Sequence, residues 1–319
     1  MAVSGKPQVT LLREGEGSAC GDETCLSLEG SFERVVGAFL EHHPKGDVAL
    51  LRRAFTVGRE MHDTQLRKSG EPYFFHPLAV AQSLADWRLD AVSVACGMLH
   101  DVVEDTLMTL PQVKAQFGEE IAEIVDGLTK MSKLAFTDRH LLNAENVRKL
   151  LVAMGKDVRV LLVKLADRLH NMKTLGVMEE EKRRRISRET LELYAPLANR
   201  LGMGAVRLEL EDLAFRQLEP EQHAELCSAV ERKRAKLSAT IQEIHGSLQA
   251  ILRQQGIQAQ VYGRIKHLYG IYKKMGTQAK GFEDIHDWLA YRIICPDRAS
   301  CYTALGLSLI HISEPTRPY

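Results

Sequence analysis

Apolar residues recur at intervals of three and four positions through most of the first two thirds of the chain. The repeat is plain in three successive groups: Val48, Leu51, Ala54 and Phe55; Ala79, Val80 and Leu84; and Val94, Met98 and Leu99. This spacing is typical of helices that turn one apolar face towards a core. Residues 31 to about 216 are therefore predicted to form an all-α domain.

Turn-forming residues divide this run of helices. Residues 69–72 predict a turn, and Pro111 predicts the first turn of a short helix. Gly127, Pro196 and residues 202–204 predict interruptions, because glycine and proline both weaken a helix interior. The punctuation therefore agrees with several helices of moderate length.

The pattern changes after Gly256. Residues 220–255 still predict one polar helix, whereas Ile257, Ala259 and Val261 alternate with polar positions. Residues 289–294 form a second run rich in strand-forming side chains. A domain of mixed α/β type is predicted to begin here.

Composition limits the classes of partner. The 319 residues carry 42 Lys and Arg against 42 Asp and Glu, a balance that gives no overall attraction to DNA. No stretch approaches the roughly 18 apolar residues of a membrane helix, and the first residues lack an apolar signal segment. Six cysteines without CxxC spacing predict reduced thiols, with a Cys20–Cys25 disulfide as the alternative. We expect a cytoplasmic protein with no DNA and no membrane partner.

One segment concentrates ionisable side chains, with the sequence Leu99-His100-Asp101-Val102-Val103-Glu104-Asp105. On a helix, positions 100, 101, 104 and 105 share one face. Three carboxylates on one face repel one another unless a cation or a proton relieves them. The segment predicts either a chemical site or an acidic, solvent-facing edge beside one core histidine.

A distant His76 upstream and a distant Asp167 downstream complete the order H…HD…D, which resembles the HD phosphohydrolase superfamily. Two imidazole nitrogens and two carboxylate oxygens form a mixed set that suits Mn²⁺, Fe²⁺ or Zn²⁺ better than Ca²⁺. Such a metal can lower the pKa of a water and orient it towards phosphorus. His76, His100, Asp101 and Asp167 are the candidate metal ligands.

The sequence words around these residues narrow the resemblance. They are RKSGEPY at 67–73, HP at 76–77, LHDVVEDT at 99–106, DGLTK at 126–130, AEN at 144–146, VKLADRLHNM at 163–172 and ISRET at 186–190. Together they resemble the long RelA/SpoT-homologue family over residues 48–307. Members of that family synthesise and degrade the alarmone (p)ppGpp.

The resemblance implies that the all-α domain removes the 3′-pyrophosphate of ppGpp or pppGpp, giving GDP or GTP, with Mn²⁺ on the four candidate ligands. Glu104 and Asp105 would position and deprotonate the attacking water. His62 also matches a family position, and we interpret it as a structural histidine.

The same resemblance implies a guanine-nucleotide pocket. Arg67 would lie against the guanine face, and Lys68 would face the pyrophosphate charge. Asn171 and Thr174 would contact the ribose or the base.

The second domain resembles the start of the family's synthetase domain, which moves pyrophosphate from ATP to GDP or GTP. Arg264, Lys266 and Lys274 would hold the ATP phosphates, and Asp287 would bind Mg²⁺. Because only the start of that domain is recognised, we expect no transfer by this chain.

The resemblance implies a mainly α fold: an all-α HD-domain hydrolase, a helical linker, and an incomplete α/β nucleotidyltransferase-like synthetase domain. The expected segments are a variable leader at 1–30, the hydrolase at 31–198, the linker at 199–250, the synthetase start at 251–307, and a tail at 308–319. The tail matches nothing in the family and is interpreted as an artefact. Ribosome or tRNA contacts are expected only through regulatory domains outside this chain.

Three alternatives remain open on sequence alone. The first is a GTP pyrophosphokinase activity in a longer parent protein. The second is an HD phosphohydrolase of another nucleotide, and the third is a regulatory module without catalysis, which would have no need for this set of ligands.

Overall fold

The structure is a computed structural model that describes residues 11–13, 27–137, 157–278, 281–285 and 287–311. The chain divides into two compact units, Cys20–Leu218 and the pair of segments Met1–Ala19 and Glu219–Tyr319. Within the described residues, no helix combines the length and apolar character that crossing a bilayer requires. Cys96, Cys295 and Cys301 carry free thiols, and Cys20 and Cys25 lie outside the described residues.

The unit Cys20–Leu218 is built of helices, and the predicted mainly α fold is confirmed. The helices are α1 (Leu28–His42), α2 (Val48–Met61), α3 (Phe75–Asp86), α4 (Ala91–Leu99), α5 (Val102–Asp105), α6 (Leu110–Phe117), α7 (Glu119–Thr137), α8 (Arg159–Lys173), α9 (Glu180–Glu189), α10 (Ala195–Arg200) and α11 (Gly204–Leu218). Local sequence sets several starts. Asp47 caps α2 by accepting from Leu50 N at 2.9 Å, and Asp90 caps α4 by accepting from Ser93 N at 3.0 Å.

Helices α3, α4 and α8 form the centre of this unit. A Cβ atom at Gly97 of α4 would lie only 3.0 Å from Ala81 Cα of α3, so the glycine permits a close approach of the two backbones. Leu84, Met98 and Val163 are fully buried between these helices. This packing fixes the helix ends that carry the candidate ligands.

Two predicted interruptions are wrong. Gly127 lies inside α7, where a Cβ atom would come within 2.9 Å of Val160 Cγ2, so the glycine serves helix packing and not a break. Pro196 lies within α10, directly after a π-helical turn at Thr190–Tyr194. The wider turn accommodates a residue that has no backbone N–H to donate. The predicted break at residues 202–204 is present, with Gly202 at φ 76°.

The second unit combines helices with a small sheet. Its elements are β1 (Leu11–Arg13), α12 (Pro220–Lys236), α13 (Ser238–Gln254), β2 (Gln260–Ile265), α14 (Leu268–Gln278), β3 (Leu289–Ile294) and α15 (Arg298–His311). The one polar helix predicted at 220–255 is two helices that meet at Leu237. Strand β2 pairs parallel with β1 and antiparallel with β3. The pairing with β1 was not predicted, because three residues carry too short a pattern.

Candidate metal centre

The two histidines and two aspartates of the H…HD…D order meet in the unit Cys20–Leu218. His76 Nε2 lies 3.2 Å from Asp167 Oδ1, and His100 Nε2 lies 3.0 Å from Asp101 Oδ2. The crossed distances are 3.8 Å from His76 Nε2 to Asp101 Oδ2 and 3.9 Å from His100 Nε2 to Asp167 Oδ1. The two nitrogens and two oxygens therefore converge, and each of these four nitrogen–oxygen distances is below 4 Å. The four side chains come from α3, α8 and the turn after α4.

The donor set fits a divalent metal. His100 Nδ1 lies 2.9 Å from the Gly97 carbonyl oxygen, so this nitrogen carries a ring hydrogen and only Nε2 can offer a lone pair to a cation. Nε2 is buried, and although Asp101 Oδ2 lies 3.0 Å away the two atoms are not aligned for a hydrogen bond. A buried nitrogen without a partner is costly, and a cation would supply that partner. His76, His100 and Asp167 form a buried group that can hold a divalent metal ion.

The local backbone differs from the sequence prediction at the HD pair. The segment 99–105 was expected to be one helix, yet α4 ends at Leu99 and α5 begins at Val102. Consecutive residues on one helix point about 100° apart. The break at His100 and Asp101 lets two neighbouring side chains approach the same point, which a continuous helix opposes.

Charge within the site is balanced by hydrogen bonds. Asp167 Oδ2 lies 2.8 Å from Lys164 Nζ, and Tyr73 Oη donates to Asp101 Oδ2 at 2.7 Å. Burial acts to raise the pKa of Asp167, but the charge of Lys164 opposes it and that pKa lies well below its usual range. Burial acts to lower the pKa of His100, but the carboxylates of Asp101 and Asp167 outweigh it and raise that pKa to about 9, so the metal-free ring holds a proton near pH 7 that a bound cation would displace.

His170 contacts the site and was not predicted from sequence. Its Nδ1 lies 2.8 Å from His76 Nδ1, whereas Asp167 faces the other ring nitrogen of His76, Nε2. Burial, followed by the neighbouring charges of His76 and Arg67, lowers the pKa of His170 to about 3. The available signal was its position three residues after Asp167, which places both on one face of α8.

Glu104 and Asp105 lie on the short helix α5, and both are exposed. Asp105 Oδ2 accepts from Tyr73 Oη at 3.0 Å, so the tyrosine hydroxyl lies between Asp101 and Asp105. Gln65 Nε2 donates to the Asp105 backbone carbonyl at 2.7 Å and fixes this turn. The structure therefore places Asp105 one hydroxyl away from a candidate ligand, and the catalytic role of both acids remains a prediction.

Three of the four predicted substrate residues are joined by hydrogen bonds. Arg67 donates from Nη1 to Thr174 Oγ1 at 3.2 Å and from Nη2 to Asn171 Oδ1 at 3.1 Å. Asn171 Nδ2 in turn donates to Asp167 Oδ1. Lys68 is exposed beside Arg67. A chain of hydrogen bonds therefore connects the candidate ligand Asp167 through Asn171 to Arg67.

The predicted synthetase residues lie in the other unit. Asp287 Oδ2 accepts from Lys266 Nζ at 3.1 Å and also from Lys274 Nζ. The hydrogen bond from Lys274, followed by that from Lys266, lowers the pKa of Asp287 to about 2. The side chain of Arg264 lies outside the described residues, as does the AEN word at 144–146.

Fold and site together define an HD-domain protein, and comparison with known proteins agrees. A family model described as "HD domain" matches residues 54–204. A second model, described as "Region found in RelA / SpoT proteins", matches residues 263–317.

The relatives identify the family. The chain is 45% identical to a GTP pyrophosphokinase of Myxococcus xanthus over 89% of its own length and 38% of the relative's. It is 44% identical to a guanosine-3′,5′-bis(diphosphate) 3′-pyrophosphohydrolase of Vibrio cholerae over 90% and 40%. It is also 44% identical to the bifunctional (p)ppGpp synthase/hydrolase SpoT of Escherichia coli over 88% and 40%. The chain belongs to the RelA/SpoT family, and it spans about two fifths of the length of these relatives.

Proposed function

We propose that this chain hydrolyses the 3′-pyrophosphate of (p)ppGpp, releasing pyrophosphate and GDP or GTP, with Mn²⁺ held by His76, His100, Asp101 and Asp167. The observation that carries the proposal is the convergence of two imidazole nitrogens and two carboxylate oxygens, with nitrogen–oxygen distances of 3.0–3.9 Å. Relatives named as a 3′-pyrophosphohydrolase and as a bifunctional (p)ppGpp synthase/hydrolase support the substrate.

The cation, when bound, supplies Lewis acidity that lowers the pKa of water and withdraws charge from a phosphate. The protein supplies the proton acceptor. Asp105, held by Tyr73 and by the backbone bond from Gln65, is positioned beside Asp101 to take a proton from the attacking water. Glu104 lies on the same turn and is the second candidate acceptor.

Arg67, Asn171 and Thr174 form the nucleotide-binding side of the proposed site. The guanidinium plane of Arg67 can stack on a guanine while its N–H groups stay bonded to Asn171 and Thr174. Lys68 is exposed beside it and can offset phosphate charge. A guanine nucleotide is therefore the proposed substrate class.

Pyrophosphate release from ppGpp, with Mn²⁺ and after EDTA treatment, tests the proposal. We expect Asp101→Asn to reduce the rate by more than roughly 100-fold, because even the outer partners of metal ligands cost 10- to 100-fold when removed. Glu33→Gln is the matched control, since it neutralises an exposed carboxylate that pairs with Arg52 on the surface. No release by folded, Mn²⁺-loaded protein, or full activity in Asp101→Asn, contradicts the proposal.

Metal and substrate identity are tested in the same assay. Mn²⁺, Zn²⁺, Fe²⁺ and Mg²⁺ are added singly after chelation, and we expect Mn²⁺ to restore the highest rate. A panel of ppGpp, pppGpp, adenosine analogues and nucleoside triphosphates separates the alarmone from other nucleotides. A preference for a nucleotide without a 3′-pyrophosphate would support an HD hydrolase of another substrate.

A second candidate function concerns the other unit. Lys266 and Lys274 surround Asp287, which is the residue combination expected for ATP phosphates and Mg²⁺ in pyrophosphate transfer. The match to the RelA/SpoT region supports this proposal for a longer protein. Incubation with ATP, GDP and Mg²⁺ tests it, and AMP formation that disappears in Asp287→Asn would show transfer by this chain.

A further inference from the structure

The two candidate histidine ligands differ in the hydrogen-bond partner of Nδ1, the ring nitrogen that does not face the carboxylates. His100 Nδ1 faces the Gly97 carbonyl oxygen, which can only accept a hydrogen bond. His76 Nδ1 faces His170 Nδ1 at 2.8 Å, and an imidazole nitrogen can either donate or accept. In the neutral rings that can bind a metal, the hydrogen position on His100 is therefore fixed by the backbone, whereas that on His76 depends on His170.

The two possible arrangements have opposite consequences for metal binding. If His76 Nδ1 donates to His170, His76 Nε2 carries no hydrogen and its lone pair can bind a cation. If His170 donates instead, His76 Nε2 carries the hydrogen and faces Asp167 Oδ1 at 3.2 Å as a hydrogen-bond donor. That second arrangement blocks two ligands at once, because it occupies both the nitrogen and the aspartate oxygen.

We propose that His170 is a positioning residue that accepts a hydrogen bond from His76 Nδ1 and so keeps His76 Nε2 ready to bind the metal. The inference rests on the proposed metal site. It adds a residue outside the H…HD…D order, with a role that is exerted through His76 and not through contact with the substrate.

The surroundings of His170 suit an acceptor at Nδ1. The ring centroids of His76 and His170 are 4.9 Å apart, which is the separation of two imidazoles whose nitrogens point nearly straight at each other, as a hydrogen bond between them requires. His170 also lines a cavity of about 350 Å³ together with Phe75, Leu78 and Lys173. A cavity of this size can hold water for the second ring nitrogen, which is then the one that carries the hydrogen.

Metal affinity measured on the whole chain tests the role without relying on turnover. Mn²⁺ is titrated calorimetrically into the metal-free protein, and Co²⁺ is used as a probe whose visible absorption reports nitrogen ligation. We expect His170→Phe, which keeps the ring and removes the acceptor, to weaken Mn²⁺ binding by roughly 10- to 100-fold. His170→Asn places an oxygen near the position of Nδ1, and we expect it to recover most of the affinity.

Thermal unfolding of each metal-free variant separates this role from a packing role. Equal unfolding temperatures with unequal Mn²⁺ affinities support positioning. His170→Phe binding Mn²⁺ within about threefold of the unmodified chain, or His170→Asn losing as much affinity as His170→Phe, overturns it. If the unmodified chain itself binds neither Mn²⁺ nor Co²⁺, the proposed metal site is wrong. That outcome is distinct from a difference in affinity between the variants and the unmodified chain.

Discussion

Arg67 donates two hydrogen bonds from two different nitrogens, to Asn171 and to Thr174. A lysine at this position has one compact charge and no planar fork, so it cannot keep both bonds and offer a flat face to a base. The arginine is therefore expected to contribute binding of the nucleotide in the ground state and the transition state alike.

We predict that Arg67→Lys raises the KM for ppGpp about tenfold, with a much smaller change in kcat, because loss of uniform binding affects KM alone. Steady-state kinetics with Mn²⁺ measures both constants. Arg52→Lys is the control, since Arg52 makes an exposed pair with Glu33. A fall in kcat at constant KM would show that Arg67 acts on the transition state and not on binding.

At the scale of single residues, sequence and structure supply different information. The order of His76, His100, Asp101 and Asp167 could be recognised because it resembles the pattern of a known superfamily, and these residue types suit a metal site. His170 and Tyr73 could not be assigned roles, since both act through side chains that are distant along the chain. The contacts of an outer partner depend on tertiary packing, which no spacing rule encodes.

At the scale of elements, Arg159 joins three parts of the all-α unit. It begins α8 and lies 3.0 Å from Asp90, 2.8 Å from Glu120 of α7, and 2.6 Å from Asp157. Asp90 also caps α4, so one guanidinium connects the starts of two central helices to α7. Arg159 is partly buried, with 22% of its side chain exposed, whereas Asp90 and Glu120 are more than half exposed.

We predict that Arg159→Met lowers the free energy of unfolding by about 1–2 kcal/mol at pH 7, somewhat more than an exposed ion pair contributes. The Arg159 hydrogen bond lowers the pKa of Asp157 below its ordinary value of 3.8. For Asp90, burial raises the pKa, but hydrogen bonds from Ser93 and the charge of Arg159 outweigh it and lower the pKa. Carboxylates with lowered pKa values stabilise the fold above pH 4 and lose that contribution as the pH falls.

The difference between Arg159→Met and the unmodified chain should therefore shrink between about pH 5 and pH 3. Denaturant unfolding at pH 7, 5 and 3.5 measures it. Lys130→Met is the control, because Lys130 pairs with Asp126 at an exposed i,i+4 position and contributes about 0.5 kcal/mol or less. A difference that grows towards low pH would contradict the assignment to carboxylates.

The presence of the helices was easier to predict from the sequence than the positions at which they are interrupted. Helical periodicity located the helices of the all-α unit, but the break at His100 and Asp101 falls between apolar residues that fit one helix equally well. Gly127 gave the opposite error, because a glycine needed for close approach to Val160 looks the same in sequence as a helix breaker. Both differences arise from tertiary contacts that override local propensity.

At the scale of the whole molecule, the unit that contains the candidate metal centre is built around one apolar core. The core is continuous from Phe32 of α1 to Ala214 of α11, and α11 closes it with Val206, Leu210 and Ala214. Glu209 of α11 also lies 2.8 Å from Lys173 of α8, two helical positions beyond Asn171. The candidate metal ligands and the proposed nucleotide-binding residues lie within this same unit.

We therefore predict that a chain of residues 20–218 folds alone and unfolds in one transition, because a unit of this size can bury a complete core. We also expect it to release pyrophosphate from ppGpp at a rate within about threefold of the full chain. A chain of residues 20–202 is the matched control. It lacks α11, exposes the core positions that Val206, Leu210 and Ala214 cover, and should lose cooperative unfolding and Mn²⁺ binding. Circular dichroism melts and the pyrophosphate assay compare the two. Inactive but folded 20–218 would mean that hydrolysis requires the unit that contains Asp287, and would place control of the reaction outside the all-α core.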